Sequence, residues 1–356
     1  MMRKLLPIIL ISVLLTACGK QPEQHIEGTA FGTVYHITYL GDRSEVLPRQ
    51  VDSLLKDINS TFSVFDTNSI ISRMNRGEEL LPSNDFLTVL KASLEISKQT
   101  HGAFDCTCQP LIELWGFGRG NKKTVVPQAQ IDSVKQFVGS HLVSIQEGRV
   151  VKADPRVQLN FNAIAKGYAV DQVARFLNEQ GYADCIVEIG GEVVARGTKN
   201  GKPWRVGIQV PTDTPDGPAE SSESFELRDR AVATSGNYRN YFEQDGVRYT
   251  HILDPVTGKP EQTNLLSVTV IAHDCLTADA YATAFMVLGI EASKKVLNAH
   301  PELKAWFIYD DHGKYIVKTH GRASQYRHNH LKSSTLQPNA LPPFRTHDFR
   351  QTATHR

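Results

Sequence analysis

Segments with the two-residue period of a strand and segments with the helical period are interleaved along this chain. They do not follow the regular strand–helix–strand alternation that a parallel sheet requires. Thr33 to Leu40 mixes β-branched and aromatic residues and reads as a strand. Val51 to Ile58 and Phe86 to Ile96 carry apolar residues at helical spacing, the second behind the cap candidates Ser83-Asn84-Asp85. Gln128 to Phe137 predicts another helix, followed by two short strands about the Glu147-Gly148 turn. The next helix is expected from Ala163 to Gln180, stopping at Gly181. Ile186 to Ile189, Gly190-Gly191 and Glu192 to Ala195 then read as strand, tight turn, strand. Trp204 to Val210 and Leu266 to Ala272 read as strands, and about Thr277 to Leu288 as a helix. No internal repeat is evident. The class is α+β, with mixed or antiparallel sheets against packed helices.

The N-terminus carries a different signal. Arg3 and Lys4 precede an apolar run from Leu5 to Leu15, and Thr16-Ala17-Cys18 follows. A basic start, a short hydrophobic stretch and small residues before a cleavage point describe a secretory signal. The run falls short of the roughly 20 apolar residues of a membrane span. Leu15-Thr16-Ala17-Cys18 resembles a bacterial lipobox, with Cys18 as the lipidated residue; an ordinary signal peptide cleaved near Ala17 is the alternative. The expected layout is a signal over 1–17, a lipidated Cys and tether over 18–27, one catalytic domain over 28–320, and a tail over 321–356. The tail has six Arg/Lys against one Asp and reads as largely disordered. A lipid tether would place the protein on a bacterial membrane, facing the periplasm or the cell exterior.

Formal net charge is +1, so charge gives no argument for a nucleic-acid partner. Cys106, Cys108, Cys185 and Cys275 show no zinc-like spacing. Cys106 and Cys108 would share one face of a strand, where a bridge over so short a loop is strained. Mostly free, buried thiols are expected.

Three segments carry candidate chemistry. The first, Gln158-Leu-Asn-Phe-Asn-Ala-Ile-Ala-Lys-Gly-Tyr-Ala-Val-Asp171, joins a strand to a helix with Lys166 in its first turn. A cation there opposes the helix dipole, unless a bound anion reverses the sign; the alternative is a solvated surface lysine. In the second, Asp279 and Thr283 lie four apart on an otherwise apolar helix, so their oxygens share a face. Hard oxygens of this kind suit Mg²⁺, with phosphate and water completing the shell. Otherwise Asp279 stabilises the helix start and Thr283 bonds a backbone carbonyl. The third segment, Arg248-Tyr-Thr-His-Ile-Leu-Asp-Pro255, puts His251 at the end of a strand, where an imidazole could take a proton or simply be structural. Just upstream, Ala233-Thr-Ser-Gly-Asn-Tyr238 reads as a hydroxyl-rich turn, suited to phosphate oxygens or to turning alone.

These segments, with the lipobox, occur in the chain order of one family. Gly32-Thr33-Val-Tyr35, Ser69-Ile-Ile-Ser-Arg-Met-Asn75, Gly102-Ala-Phe-Asp105 and Trp115-Gly-Phe-Gly118 belong to the match. Ala165-Lys-Gly-Tyr168, Glu188-Ile-Gly-Gly191, Thr234-Ser-Gly236 and His251-Ile-Leu-Asp-Pro255 complete it. The chain resembles the ApbE-type FAD:protein FMN transferases over roughly Gly28 to Gly289. That resemblance implies an ApbE-like fold with FAD in a cleft between two subdomains. It implies FAD contacts at Phe31, Phe65, Ala103, Phe104, Asp105, Asn160, Lys166 and Ile252. It implies Mg²⁺ held by the backbone oxygen of Ala163, by Asp279 and by Thr283, with Ala282 where some members offer a further ligand. His251 matches the proposed base. Asn160 stands where Asp is usual in the family, and Cys106 and Cys108 stand where Pro and Val are common.

The implied activity is Mg²⁺-dependent transfer of FMN from FAD to a threonine or serine hydroxyl, releasing AMP. The implied acceptors are subunits of membrane redox complexes. Two other readings stay open on sequence: an FAD pyrophosphatase yielding FMN and AMP, and a flavin-binding lipoprotein without turnover.

Overall fold

The fold is given by a computed structural model that describes residues 20–119, 124–209, 221–237, 241–245, 247–312 and 314–321. The expected signal over 1–17, Cys18, Val210, Tyr238 and the tail beyond residue 321 lie outside the described residues. The hairpin β1 (Glu23–Ala30) and β2 (Thr33–Leu40) comes first. Five helices follow: α1 (Leu47–Phe62), α2 (Ile70–Asn75), α3 (Asn84–Gln99), α4 (Gln109–Leu114) and α5 (Gln128–Lys135). The hairpin β3 (Val143–Gln146) and β4 (Arg149–Lys152) leads to α6 (Ala165–Glu179). Then come β5 (Cys185–Ile189), β6 (Glu192–Arg196), β7 (Trp204–Gln209), β8 (Ser221–Leu227) and β9 (Arg230–Gly236). Two short hairpins pair β10 (Tyr241–Gln244) with β11 (Val247–Thr250) and β12 (Leu253–Asp254) with β13 (Lys259–Pro260). The described chain ends with β14 (Leu265–Ala272), α7 (Cys275–Ala299), β15 (Lys304–Asp311) and β16 (Lys314–His320).

Eight strands build one sheet in the order β1-β2-β5-β6-β9-β14-β15-β16, antiparallel at every step. The α+β reading therefore holds, with the antiparallel form realised. Strand alternation divides the sheet between two cores. Val194, Ala231, Ala233, Ala305 and Phe307 face a large core built with α1, α3, α6 and α7. Val193, Val232, Trp306 and Ile308 belong to a second, smaller core under the β7–β8 hairpin. There Phe225 stacks on Trp306 at 5.4 Å between ring centroids.

The local reasons are legible. Val51, Leu55, Ile58 and Phe62 recur at helical spacing and are the buried face of α1. The Ser83 hydroxyl accepts the Phe86 N–H at 3.2 Å, starting α3 where a cap was expected. Ser69 caps α2 in the same way through Ser72 N–H at 3.1 Å. A third cluster, with Leu111, Trp115, Ile131 and Leu253, ties α4 and α5 to β12. Trp115 fastens it by donating its indole N–H to the Gly258 carbonyl at 2.8 Å.

Several expectations shift. Residues 23–27, read as tether, are the beginning of β1 and pair with 36–40 of β2; their polar run is that of an edge strand open to water. Residues 106 and 107 form a turn, and Cys108 makes only an isolated bridge to Gln158, so Cys106 and Cys108 do not share a strand face. The four cysteines are free and buried, as expected. Thr234-Ser235-Gly236 closes the strand β9 and is not a turn. α7 runs on to Ala299 across a break at Gly289, whose φ of 68° and ψ of 178° interrupt the helix predicted to end at Leu288.

Candidate active site

A cavity of about 480 Å³ opens beside the large core. Its walls come from both that core and the cluster around α4. Three segments of the chain form its floor.

The first is the start of α6. The predicted helix begins two residues late, so Ala163 lies in the turn before it and Lys166 in its first turn. The second is α7, whose cap is Asp274: its side chain accepts the Thr277 N–H at 2.8 Å. Asp279 is therefore not at the helix start. Its carboxylate is buried, and Oδ2 accepts the Gly167 N–H from α6 at 3.0 Å. One turn on, the Thr283 hydroxyl bonds no backbone carbonyl among the contacts seen and meets the Ser235 hydroxyl of β9 at 3.0 Å.

Gly167 makes this meeting of helices possible. A Cβ there would lie 2.3 Å from the Cys275 carbonyl oxygen and 2.8 Å from the Asp279 Cβ. Asp171, one turn along α6, adds a second clamp by accepting the Cys275 and Leu276 N–H groups at 2.9 Å each. Burial pushes the Asp171 carboxyl up to about 7, against the pull of those two amides. Gly167→Ala is expected to cost about 2–3 kcal/mol by forcing α7 from α6, lowering the melting temperature by roughly 5–10 °C. An unchanged thermal melt would show that the crossing is not tight.

The third segment is the start of β6. Glu192 is 2 % exposed and its Oε2 stands 2.6 Å from the Lys166 Nζ. Sequence reasoning missed it. The available signal was an acid placed directly after Gly190-Gly191 and before the apolar Val193-Val194. Lys166 is thus no solvated surface lysine: burial pulls its ammonium down, but Glu192 and Asp279 outweigh that and hold it up. Burial raises both carboxyls, and Lys166 opposes the rise in each. With all three ionised, the floor carries one negative charge in excess.

His251 directly follows β11 and lines the cavity, with its ring edge-on to Phe117 at 6.5 Å. Ile252 lines it too and is buried. Phe65, Ala103, Phe104, Asp105, Asn160 and Ala163 are also in the wall. Phe65 is 60 % exposed, so it stands at the mouth. The Asp105 carboxylate is engaged in holding its own loop: it accepts from the Thr107 N–H and hydroxyl at 2.7 and 2.6 Å and from the Ser140 N–H at 2.7 Å. Asn160 donates to Gln109 Oε1 at 2.6 Å and accepts the Asn162 N–H at 2.7 Å. Those two bonds use both ends of a neutral amide, which an Asp could not match.

Two expected residues are not among those that line the cavity. Phe31 occupies the β1–β2 turn with φ of 52°, half-buried against the large core, and the cavity wall is formed without it. Ala282 is fully buried in the core and also absent from the wall.

An antiparallel α+β domain that gathers an ammonium, two buried carboxylates, paired hydroxyls and a histidine around one part-apolar cavity has the make-up of an enzyme acting on a sizeable anionic ligand. The sequence profile of the ApbE family matches residues 31–307, and the chain belongs to that family. It is 38 % identical over 309 residues to the FAD:protein FMN transferase of Vibrio cholerae serotype O1, covering 84 % of this chain and 92 % of that protein. To the protein of the same name from Haemophilus influenzae it is 34 % identical over 338 residues, covering 89 % and 96 %. Among solved structures, the flavin transferase ApbE from Vibrio cholerae superposes with a TM-score of 0.75 at 35 % identity, over 85 % of this chain and 98 % of that one. The apo flavinyl transferase ApbE of Pseudomonas stutzeri gives the same TM-score at 34 % identity, over 84 % and 95 %.

Proposed function

We propose that this protein transfers FMN from FAD to a threonine or serine hydroxyl of an acceptor protein, with Mg²⁺ as the metal and AMP as the leaving group. The observation that carries the reading is the cavity floor, where the start of α6, with Lys166 on Glu192, meets α7 through the Gly167–Asp279 bond, with Thr283 one turn on. A helix start and an ammonium together favour the pyrophosphate of a dinucleotide. Phe65, Phe104, Phe117 and Ile252 supply apolar area for its ring systems.

The floor also fits a divalent cation. Its donors are hard oxygens: the Asp279 carboxylate, the Thr283 hydroxyl and the Ala163 carbonyl. Among the described residues no cluster of three or more His, Cys, Asp or Glu suits a metal. That sparse protein shell is the habit of Mg²⁺, which keeps waters and substrate phosphates as ligands. When bound, it would supply charge neutralisation at the pyrophosphate. Lys166 stabilises the charge that develops there. His251 accepts the hydroxyl proton as the acceptor oxygen forms its bond to the FMN phosphorus and the bond to AMP breaks.

Incubation with FAD, Mg²⁺ and an acceptor protein, followed by intact-mass measurement of the acceptor, tests this. Covalent gain of FMN with one equivalent of AMP is expected. Free FMN and AMP with an unmodified acceptor would sink transfer in favour of hydrolysis, and unconsumed FAD would sink both.

The acceptors we propose are subunits of membrane redox complexes, reached from a lipid anchor at Cys18. Cys18→Ser is expected to move the protein from the membrane fraction to the soluble fraction after a high-salt wash. The salt matters because the Lys/Arg-rich tail would otherwise hold anionic lipid. Retention of the Ser variant on washed membranes would overturn the anchor.

A further inference from the structure

Glu192 takes no part in the chemistry above, yet it is a nearly inaccessible acid whose carboxylate meets the ammonium of the cavity floor. We infer that Glu192 is a positioning residue that keeps the Lys166 ammonium off Asp279 and so leaves the Asp279 carboxylate open to a divalent cation. The inference rests on the metal reading of Asp279.

The geometry offers Lys166 two partners. Its Nζ stands 2.6 Å from Glu192 Oε2, while the N–H of the very next residue, Gly167, bonds Asp279 Oδ2 at 3.0 Å. The lysine backbone is thus one residue from the Asp279 carboxylate, and its four-carbon stem is flexible enough to reach either acid. Both acids attract it. The Lys166 side chain is only 32 % exposed, so its ammonium gains from a carboxylate partner. Without the Glu192 charge, Asp279 is the carboxylate left to pair with it, and an Asp neutralised by Lys is a poor cation ligand.

Glu192 is fixed where Lys166 is not. It opens β6 directly after the Gly190-Gly191 turn, whose φ values of 62° and 104° suit glycine. A Cβ on Gly190 would meet the Thr33 methyl at 2.7 Å, so the turn is packed as well as tight. The strand on which Glu192 sits pairs with β5 and β9 in mid-sheet. The rigid acid therefore selects the position of the mobile base.

The test titrates Mn²⁺, followed by the loss of its free electron-spin signal, into the full protein with saturating ADP as a pyrophosphate that carries no flavin. Asp279→Ala serves as control for the site. E192Q is expected to bind Mn²⁺ about tenfold more weakly than the parent. A crystal structure of E192Q is expected to show the Lys166 Nζ on an Asp279 oxygen. Unchanged Mn²⁺ affinity in E192Q, or a Nζ that stays away from Asp279, overturns the inference while leaving the proposed function standing. Mn²⁺ binding that survives Asp279→Ala overturns the metal reading and this inference with it. If E192Q does not fold, the parent protein with Mn²⁺ answers the same question: the Nζ is expected to remain on Glu192, and its departure on metal binding overturns the proposal.

Discussion

Asp279→Ala is expected to reduce Mg²⁺-supported turnover by about 10³-fold, while FAD affinity falls no more than about tenfold. The carboxylate is the one charged protein donor in the proposed metal shell. A bound cation contributes several kcal/mol to charge stabilisation in such a transfer, and each 1.36 kcal/mol is about one decade of rate. The apolar part of the cavity, with Phe65, Phe104 and Ile252, is left alone by the substitution. Removing the carboxylate also leaves the Gly167 N–H without its partner, a cost to stability of about 1–3 kcal/mol. The measurement is single-turnover release of AMP across a Mg²⁺ series, beside FAD binding and a thermal melt. A rate equal to the parent's at low Mg²⁺ would remove Asp279 from the metal site.

His251→Ala is expected to separate binding from chemistry. A general base is typically worth about 10²–10⁴-fold in rate, so transfer should slow by that factor with FAD and Mg²⁺ affinity near the parent's. The histidine sits half-buried just beyond β11, at the cavity wall and edge-on to Phe117. Truncating it opens little space. A structural histidine would behave differently, with melting temperature and FAD affinity falling in step. Parent-like transfer by a folded His251→Ala protein would end its assignment as the base.

How far the sequence foretells this molecule depends on whether a feature is local. The β2 strand, the buried face of α1 and the Ser83 cap of α3 are written in neighbouring residues, and their periods survive folding. β16 (Lys314–His320) went unread because it mixes charged residues into the edge strand of the sheet, and β15 (Lys304–Asp311), a buried interior strand, was missed with it. The N-terminal strand failed for the same reason: Glu23–Ala30 is polar because one side of it faces water. In the site, Lys166, His251, Asp279 and Thr283 were found through their motifs and do reach one cavity. Glu192 was hidden because an acid at the start of a strand carries no local sign of the lysine that the fold delivers to it. Phe31 and Ala282 rest on the motif match alone, and the fold puts one in a hairpin turn and the other in the core.

The strand order also bears on how the chain acquires its site. β2 finds β5 across most of the helical segments, and β9 finds β14 across the short hairpins. Pairings over such separations carry a large loop-closure entropy and make folding slow. The hairpins β1–β2, β5–β6 and β15–β16 join near neighbours and lead. Lys166 and Glu192 lie upstream of α7, and their contact does not involve it. Asp279 and Thr283 arrive only when α7 docks in the groove at Gly167. The floor is therefore complete only with α7 in place, and ligand binding is tied to the packing of α7 on α6.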